Sequence, residues 1–451
     1  MIAIRWCFAA LFLVVITNRS VAQRQDSLLG LRYARIADTS YLNVDTCIRY
    51  TYLALPLLKK TGQWEQYVTT YAGLSYCYNT KGYLDSLVIV NRAASAAAEA
   101  YLPAKHHLLI ATKNNLGVVY RDVYQDFDQA LHYFETALAH FDSSKARITF
   151  KANVLKNIGN IHIRRGDFNL AELYLKETLN TYRSAAKIAF YEQLDISFRV
   201  AESYQALAKV AQYQADYSLE KAYLLQMLQL LTTSERPFAT SYYLACYTEL
   251  AEVSLQLNDP TAATRYVQLA FALPNLRPDQ EAEVYYANAR LHAAQNAWKP
   301  ALAATELALA RMSSEKVVDM AKRQELRATC LLQLHQTSAA LQATNIGLKY
   351  LAPTQSWSTA SYDLVLKDFR SPTTCLQLLL TRASIQQQLA VAQGRSTYLD
   401  TALLTYHYVA ELSDALRRDY QSQEAKLFLG ANSHDYYEKA IALAEQRYQQ
   451  T

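Results

Sequence analysis

Residues 155–178 read LKNIGNIHIRRGDFNLAELYLKET, and this stretch decides the fold. Leu155, Ile158, Gly159 and His162 are spaced as one face of a helix; Ala171, Leu175 and Thr178 are spaced as one face of a second. Gly166-Asp167 between them is a turn. Gly159 and Ala171 lie twelve positions apart. A small residue on each of two antiparallel helices lets them approach closely, and larger apolar neighbours fill the remaining space. The same spacing returns from Ser75 to Leu87, Ala251 to Ala263, Ala289 to Ala301 and Ala328 to Ala340. It is stretched from Gly117 to Ala130, Ala208 to Ala222 and Ala383 to Ala402. One such hairpin cannot bury its apolar face alone, so hairpins must stack in a row. The expected fold class is all-α, a solenoid of antiparallel helical hairpins.

Composition agrees. The chain has 451 residues but only 10 Gly and 9 Pro, too few turn residues for a sheet protein of this length. Most of the 35 Tyr are read as filler between helices with the hydroxyl reaching water, and a minority as facing a groove. The net charge is +5, and losing Arg5 and Arg19 with a leader would leave +3. The densest basic run is Arg417-Arg418, so no nucleic-acid partner is expected.

Residues 1–22 form a separate object. Arg5, an apolar stretch from Trp6 to Ile16 and Ser20-Val21-Ala22 follow the plan of a secretory signal peptide cleaved before Gln23. The apolar stretch is too short to span a bilayer, which takes about 20 residues. No membrane span is expected after cleavage, and the localisation expected is exported, periplasmic or extracellular. Beyond the leader stand Cys47, Cys77, Cys246, Cys330 and Cys375, scattered and odd in number. We read them as small buried apolar residues rather than disulfides.

The expected array occupies 23–350. Helical pairs are read at 65–79 with 82–100, 106–121 with 127–141, 149–164 with 168–183, 190–213 with 217–232, 240–257 with 260–273, 279–295 with 299–312, and 315–334 with 337–350. A lead-in pair covers 25–60. Residues 351–372 form an irregular connecting segment, and 373–451 carry C-terminal helical repeats.

Asn157-Ile158-Gly159-Asn160, Arg165-Gly166-Asp167-Phe168 and Ala171-Glu172 resemble a tetratricopeptide (TPR) repeat. So do Asn115-Leu116-Gly117, Tyr120, Phe127-Asp128-Gln129-Ala130, Phe134 and Ala137. The resemblance covers most of 50–450 and implies a right-handed superhelix with a concave groove for peptides or partner proteins. A narrower resemblance is to the repeat region of bacterial CHAT-domain proteins, which are caspase-like. It rests on Leu55-Pro56-Leu57-Leu58 through Trp64-Glu65, and on Ala402, Tyr406, Leu416-Arg417, Tyr420, Ser422, Lys426-Leu427-Phe428-Leu429 and Tyr437-Glu438-Lys439-Ala440-Ile441. The sequence ends at Thr451, before a CHAT domain would begin, so the Cys–His chemistry of that family is not expected here.

The positions matching the TPR ligand groove are Asn115, Lys156, Asn157, Asn160, Arg164 and Lys209. Asn157, Asn160 and Arg164 project from one helix face and suit an acidic or C-terminal peptide. His106-His107, His162, His292 and His335 lack convergent partners in the sequence, so no metal site and no cofactor is expected. No nucleophile motif or paired carboxylates stand out. The reading is therefore a non-enzymatic scaffold that binds a protein or peptide partner, with a CHAT-type regulatory role implied by the second resemblance. A TPR sensor coupled to a membrane or two-component output is the first alternative; an enzyme with an unrecognised site is the second.

Overall fold

A computed structural model describes residues 22–40, 43–141, 148–185, 190–235, 237–313, 316–355, 357, 369–393, 396–419 and 423–449. The expected leader lies outside them but for Ala22, as does most of the expected irregular segment: 356 and 358–368. The described flanks of that segment, 352–355 and 369–371, are non-helical. Every regular element among the described residues is a helix. No described helix is long and apolar enough to cross a membrane.

The chain divides into two compact units. The first holds residues 1–161 and 177–188; the second holds 162–176 and 189–451. In chain order the helices are α1 (22–39), α2 (Val44–Lys60), α3 (Trp64–Lys81), α4 (Leu84–Tyr101), α5 (His107–Val119), α6 (Phe127–Ala139), α7 (Ile148–Arg165) and α8 (Phe168–Ala185). Then come α9 (Phe190–Tyr213), α10 (Tyr217–Thr233), α11 (Thr240–Gln256), α12 (Pro260–Phe271), α13 (Pro278–Ala294), α14 (Trp298–Arg311), α15 (Val317–Gln333) and α16 (Thr337–Leu351). The series ends with α17 (Pro372–Gln393), α18 (Ser396–Asp419) and α19 (Gln423–Tyr448). The helical pairs expected from sequence lie within a few residues of these bounds.

One turn is used again and again. The first helix of a hairpin ends in a left-handed residue, one further residue follows, and the second helix begins. The left-handed residues are Gly82, Gln125, Gly166, Ala215, Asn258, Asn296 and His335, with φ between 53° and 73°. The next amide donates back to the carbonyl five residues earlier: Tyr83 to Tyr78, Asp167 to His162, Asp216 to Ala211, Asp259 to Ser254, Ala297 to His292 and Gln336 to Leu331, at 2.8–2.9 Å. This is the Schellman closure, which satisfies carbonyls the helix end leaves open. Asp126, Asp216 and Asp259 then cap the second helix through the amides of Gln129, Leu219 and Ala262.

The stretched spacing from Gly117 to Ala130 has a local cause. Residues Tyr120–Tyr124 form a π-turn, and Asp126 reaches back six residues, to Tyr120, instead of five. The bulge absorbs the extra residue. Gly117 faces the buried Phe134 so closely that a Cβ there would run into the ring.

The small pairs sit in the hairpin cores as expected. Ala251 with Ala263, Ala289 with Ala301 and Ala328 with Ala340 are all buried. One pair is not as read from sequence. Ala222 is exposed, and the residue twelve positions after Ala208 is Glu220. Glu220 is the fourth residue of α10, the place held in α12, α14 and α16 by Ala263, Ala301 and Ala340. Its side chain is 3 % exposed.

Candidate binding groove in the second unit

The second unit carries a groove of about 860 Å³. Its wall is built by the first helices of successive hairpins, α9, α11, α13, α15 and α17, with Glu220 entering from α10. First helices stack because each second helix packs behind its own partner and the next hairpin. Polar side chains then line the open side.

Those side chains form a ladder from helix to helix. Gln205 of α9 donates to Glu249 of α11 at 2.7 Å. Glu252 of α11 pairs with Arg290 of α13. Glu283 of α13 pairs with Arg323 of α15 at 3.0 Å. Glu325 of α15 accepts from Thr381 of α17 and from Thr329, each at 3.1 Å. Arg323 is 1 % exposed; its guanidinium lies 4.6 Å from the Tyr286 ring centre and donates to the Asp319 carbonyl. Stacking on an aromatic face and two oxygen partners make such a buried cation tolerable.

Charge is uneven along the groove. Glu220, Glu249, Glu252, Glu283, Asp319 and Glu325 face Lys209, Arg290, Lys322 and Arg323. The excess acid gathers at the α9–α11 end. Burial, together with Glu252 and Glu249, pushes the Glu220 carboxyl up to about 7. Burial pushes Glu249 up to about 7 as well; Gln205 and Lys209 oppose this and Glu252 adds to it. Burial also raises Glu325. Glu220 accepts from Gln212 at 3.2 Å through one oxygen, while the other has no hydrogen-bond partner. No cation among the described residues lies within ion-pair distance of Glu220 or Glu249. These acids are short of positive charge, and a cation arriving from outside would supply it.

The six residues expected from sequence do not converge on this groove. Lys209 lines it, 2.5 Å from Gln212 and with its ammonium 5.0 Å from the Tyr213 ring centre. Arg164 belongs to the second unit and is exposed. Asn115, Lys156, Asn157 and Asn160 belong to the first unit. The Asn157 amide donates to Asn114 at 2.8 Å and its oxygen accepts from Arg121 at 2.8 Å, so this side chain bridges α7 to α5 and the π-turn. Sequence reasoning missed Glu220, Glu249 and Glu252. The signal for Glu220 was present: twelve positions counted strictly from Ala208 land on a carboxylate where the pattern calls for a small residue.

No protein-family model matches the chain, and no curated protein does. Solved structures do. The apo form of the quorum sensor NprR from B. thuringiensis is similar over 84% of this chain and 99% of its own, at 12% identity and a TM-score of 0.50. A tetratricopeptide repeat protein from Parabacteroides merdae covers 66% of this chain and 98% of its own, at 13% identity and a TM-score of 0.42. The fold class is thus an all-α, TPR-like helical solenoid.

Proposed function

We propose that this chain is an interaction scaffold whose second-unit groove holds an extended peptide segment, with a lysine or arginine side chain of that segment seated at Glu220 and Glu249. The observation that carries this reading is Glu220: a buried carboxylate, one oxygen unpartnered, at a core position that neighbouring hairpins fill with alanine. Burying an unpaired charge costs several kcal/mol, on the order of the net stability of a domain. A core keeps such a group where a partner uses it. The ladder of amides, hydroxyls and ion pairs along α11–α17 then offers hydrogen bonds to an extended backbone. Here the preferred ligand end is basic, whereas the expectation from sequence was an acidic or C-terminal peptide.

The test is fluorescence anisotropy with a library of labelled decapeptides, sorted by charge. Basic members are expected to bind, and more tightly at pH 8 than at pH 6, because binding needs both carboxyls ionised. Replacing Glu220 and Glu249 together by Gln should weaken binding about 10–100-fold, the usual loss for a desolvated charge pair. Equal binding by that variant, or preference for acidic peptides, overturns the reading.

Two finer parts of the proposal have support from sequence alone. Export rests on the leader-like plan of residues 1–22, and N-terminal sequencing of the chain recovered outside the cytoplasm would check it. A regulatory role beside a CHAT-type protease domain rests on the resemblance at 55–65 and 402–441, and the coding sequence beyond Thr451 would check that. A sensor output is the competing outcome of the same check.

A further inference from the structure

The first unit brings together two cysteines that the sequence scatters. Cys47 lies in the first turn of α2 and Cys77 in the last two turns of α3. Their sulfurs stand 2.7 Å apart, with the Cys77 thiol directed at Cys47. Both are free thiols in this structure, in direct contact across the α2–α3 seam, which puts the two sulfurs within reach of a bond of about 2.05 Å. The surroundings hold the pair in register. Tyr52 and Tyr78, on the same two helices, share a hydrogen bond of 2.9 Å, and Lys81 pairs with Asp45 at 3.0 Å. Of the five cysteines beyond the leader, the other three lie in the second unit, on α11, α15 and α17.

The two thiols differ in access. Cys77 is fully buried. Cys47 borders a cavity of about 270 Å³ between α1, α2 and α3, lined also by Ala34, Thr51 and Thr70. A small disulfide reagent has a route to one sulfur only.

We propose that Cys47 and Cys77 form a disulfide that staples α2 to α3, made by exchange with a small-molecule disulfide such as oxidised glutathione. The Cys47 thiolate attacks one glutathione sulfur; the glutathione S–S bond breaks, and a glutathione thiolate leaves and takes up a proton. The Cys77 thiolate then attacks the Cys47 sulfur of the mixed disulfide and expels the second glutathione. Two protein thiols have lost two hydrogens, and one glutathione disulfide has become two glutathiones. The inference does not depend on the groove of the second unit. In this structure both cysteines are free and buried, in line with the sequence reading, and the proposal goes beyond that reading.

The folded environment controls timing. Burial, then Cys47 beside it, pushes the Cys77 thiol up to about 12. Its thiolate is scarce once α2 and α3 have packed, so exchange is slow in the folded chain in both directions. Exchange in the folded chain therefore starts at Cys47, and the second attack, by Cys77, sets its rate.

The experiment is refolding of the full chain from reducing denaturant into a buffer of reduced and oxidised glutathione. It is followed by alkylation with N-ethylmaleimide in denaturant and peptide mapping. The expected map contains one cross-linked species joining the peptides of Cys47 and Cys77, two hydrogens lighter than their sum, with every other cysteine alkylated. All cysteines alkylated, or either of these two bridged to another cysteine, overturns the proposal. The Cys47→Ala/Cys77→Ala double variant keeps the core apolar and supplies the second readout. Prior reduction in denaturant should lower the melting midpoint of the wild-type first unit by about 5–10 °C, given the 30-residue separation of the pair. The double variant should show no such response. An equal response in both chains would also overturn the staple.

Discussion

The hairpins α9–α10 and α11–α12 are built alike and differ at one decisive place. Each turns through a left-handed residue, Ala215 or Asn258, and each caps its second helix with an aspartate, Asp216 or Asp259. Each buries a small residue on the first helix, Ala208 or Ala251. Four residues into the second helix, α12 presents Ala263 and α10 presents Glu220. The same scaffold thus accepts a methyl group or a carboxyl at one site. The difference is in what lies beyond: Glu220 reaches the polar groove, with Gln212 and Lys209 nearby, whereas Ala263 sits among Ala251, Val267 and Leu291. A repeat protein keeps its architecture in the shared positions and places its chemistry in the exceptions.

The comparison can be broken at several points. Ala263→Glu places the same group where no polar neighbour waits, and should cost about 3 kcal/mol or more in urea denaturation. If that variant were as stable as wild type, burial of Glu220 would carry no functional meaning. Gly117→Ala probes the small-residue rule in the first unit. The added methyl meets the Phe134 ring, and a loss of about 1–3 kcal/mol is expected from overpacking.

Glu220→Gln works in the opposite direction. The folded-state value near 7 lies above the ordinary 4.5, so between these pH values the folded state holds a proton that the unfolded state has released. Stability must therefore fall as pH rises from about 5 to 8. The Gln variant should lack this decline from Glu220, matching wild type at pH 4 and exceeding it at pH 8 by up to about 3 kcal/mol. Denaturation curves at the two pH values decide it. The smallest effect is expected at the turns: Ala215→Gly relieves a left-handed alanine and should add about 0.5–1 kcal/mol, with Asn258→Gly adding less because Asn tolerates that conformation. Equal gains would mean that the two turns are not under the strain their residues imply.

Most of the architecture was legible in the chain, because small residues and turn residues repeat at spacings that only close helix pairs require. The groove was less so. Asn157, Asn160 and Arg164 share a helix face in any reading, yet Asn157 is spent bridging to Asn114 and Arg121, contacts between residues about 40 positions apart that no local pattern announces. Glu249 and Glu252 look like ordinary helix-surface acids until α9 and α10 bring Gln205 and Glu220 against them. The cysteine pair was hidden for the same reason: proximity across 30 residues is a property of packing, not of spacing.

The bulge at Tyr120–Tyr124 has a consequence for how such a chain changes over generations. A single inserted codon would ordinarily rotate everything after it by a third of a turn and spoil both faces of the following helix. Here the surplus residue is looped out before the bend, and Ala130 arrives at its station unmoved. Arrays with such a slack point can lengthen by one residue at a time and still mesh with the hairpins on either side.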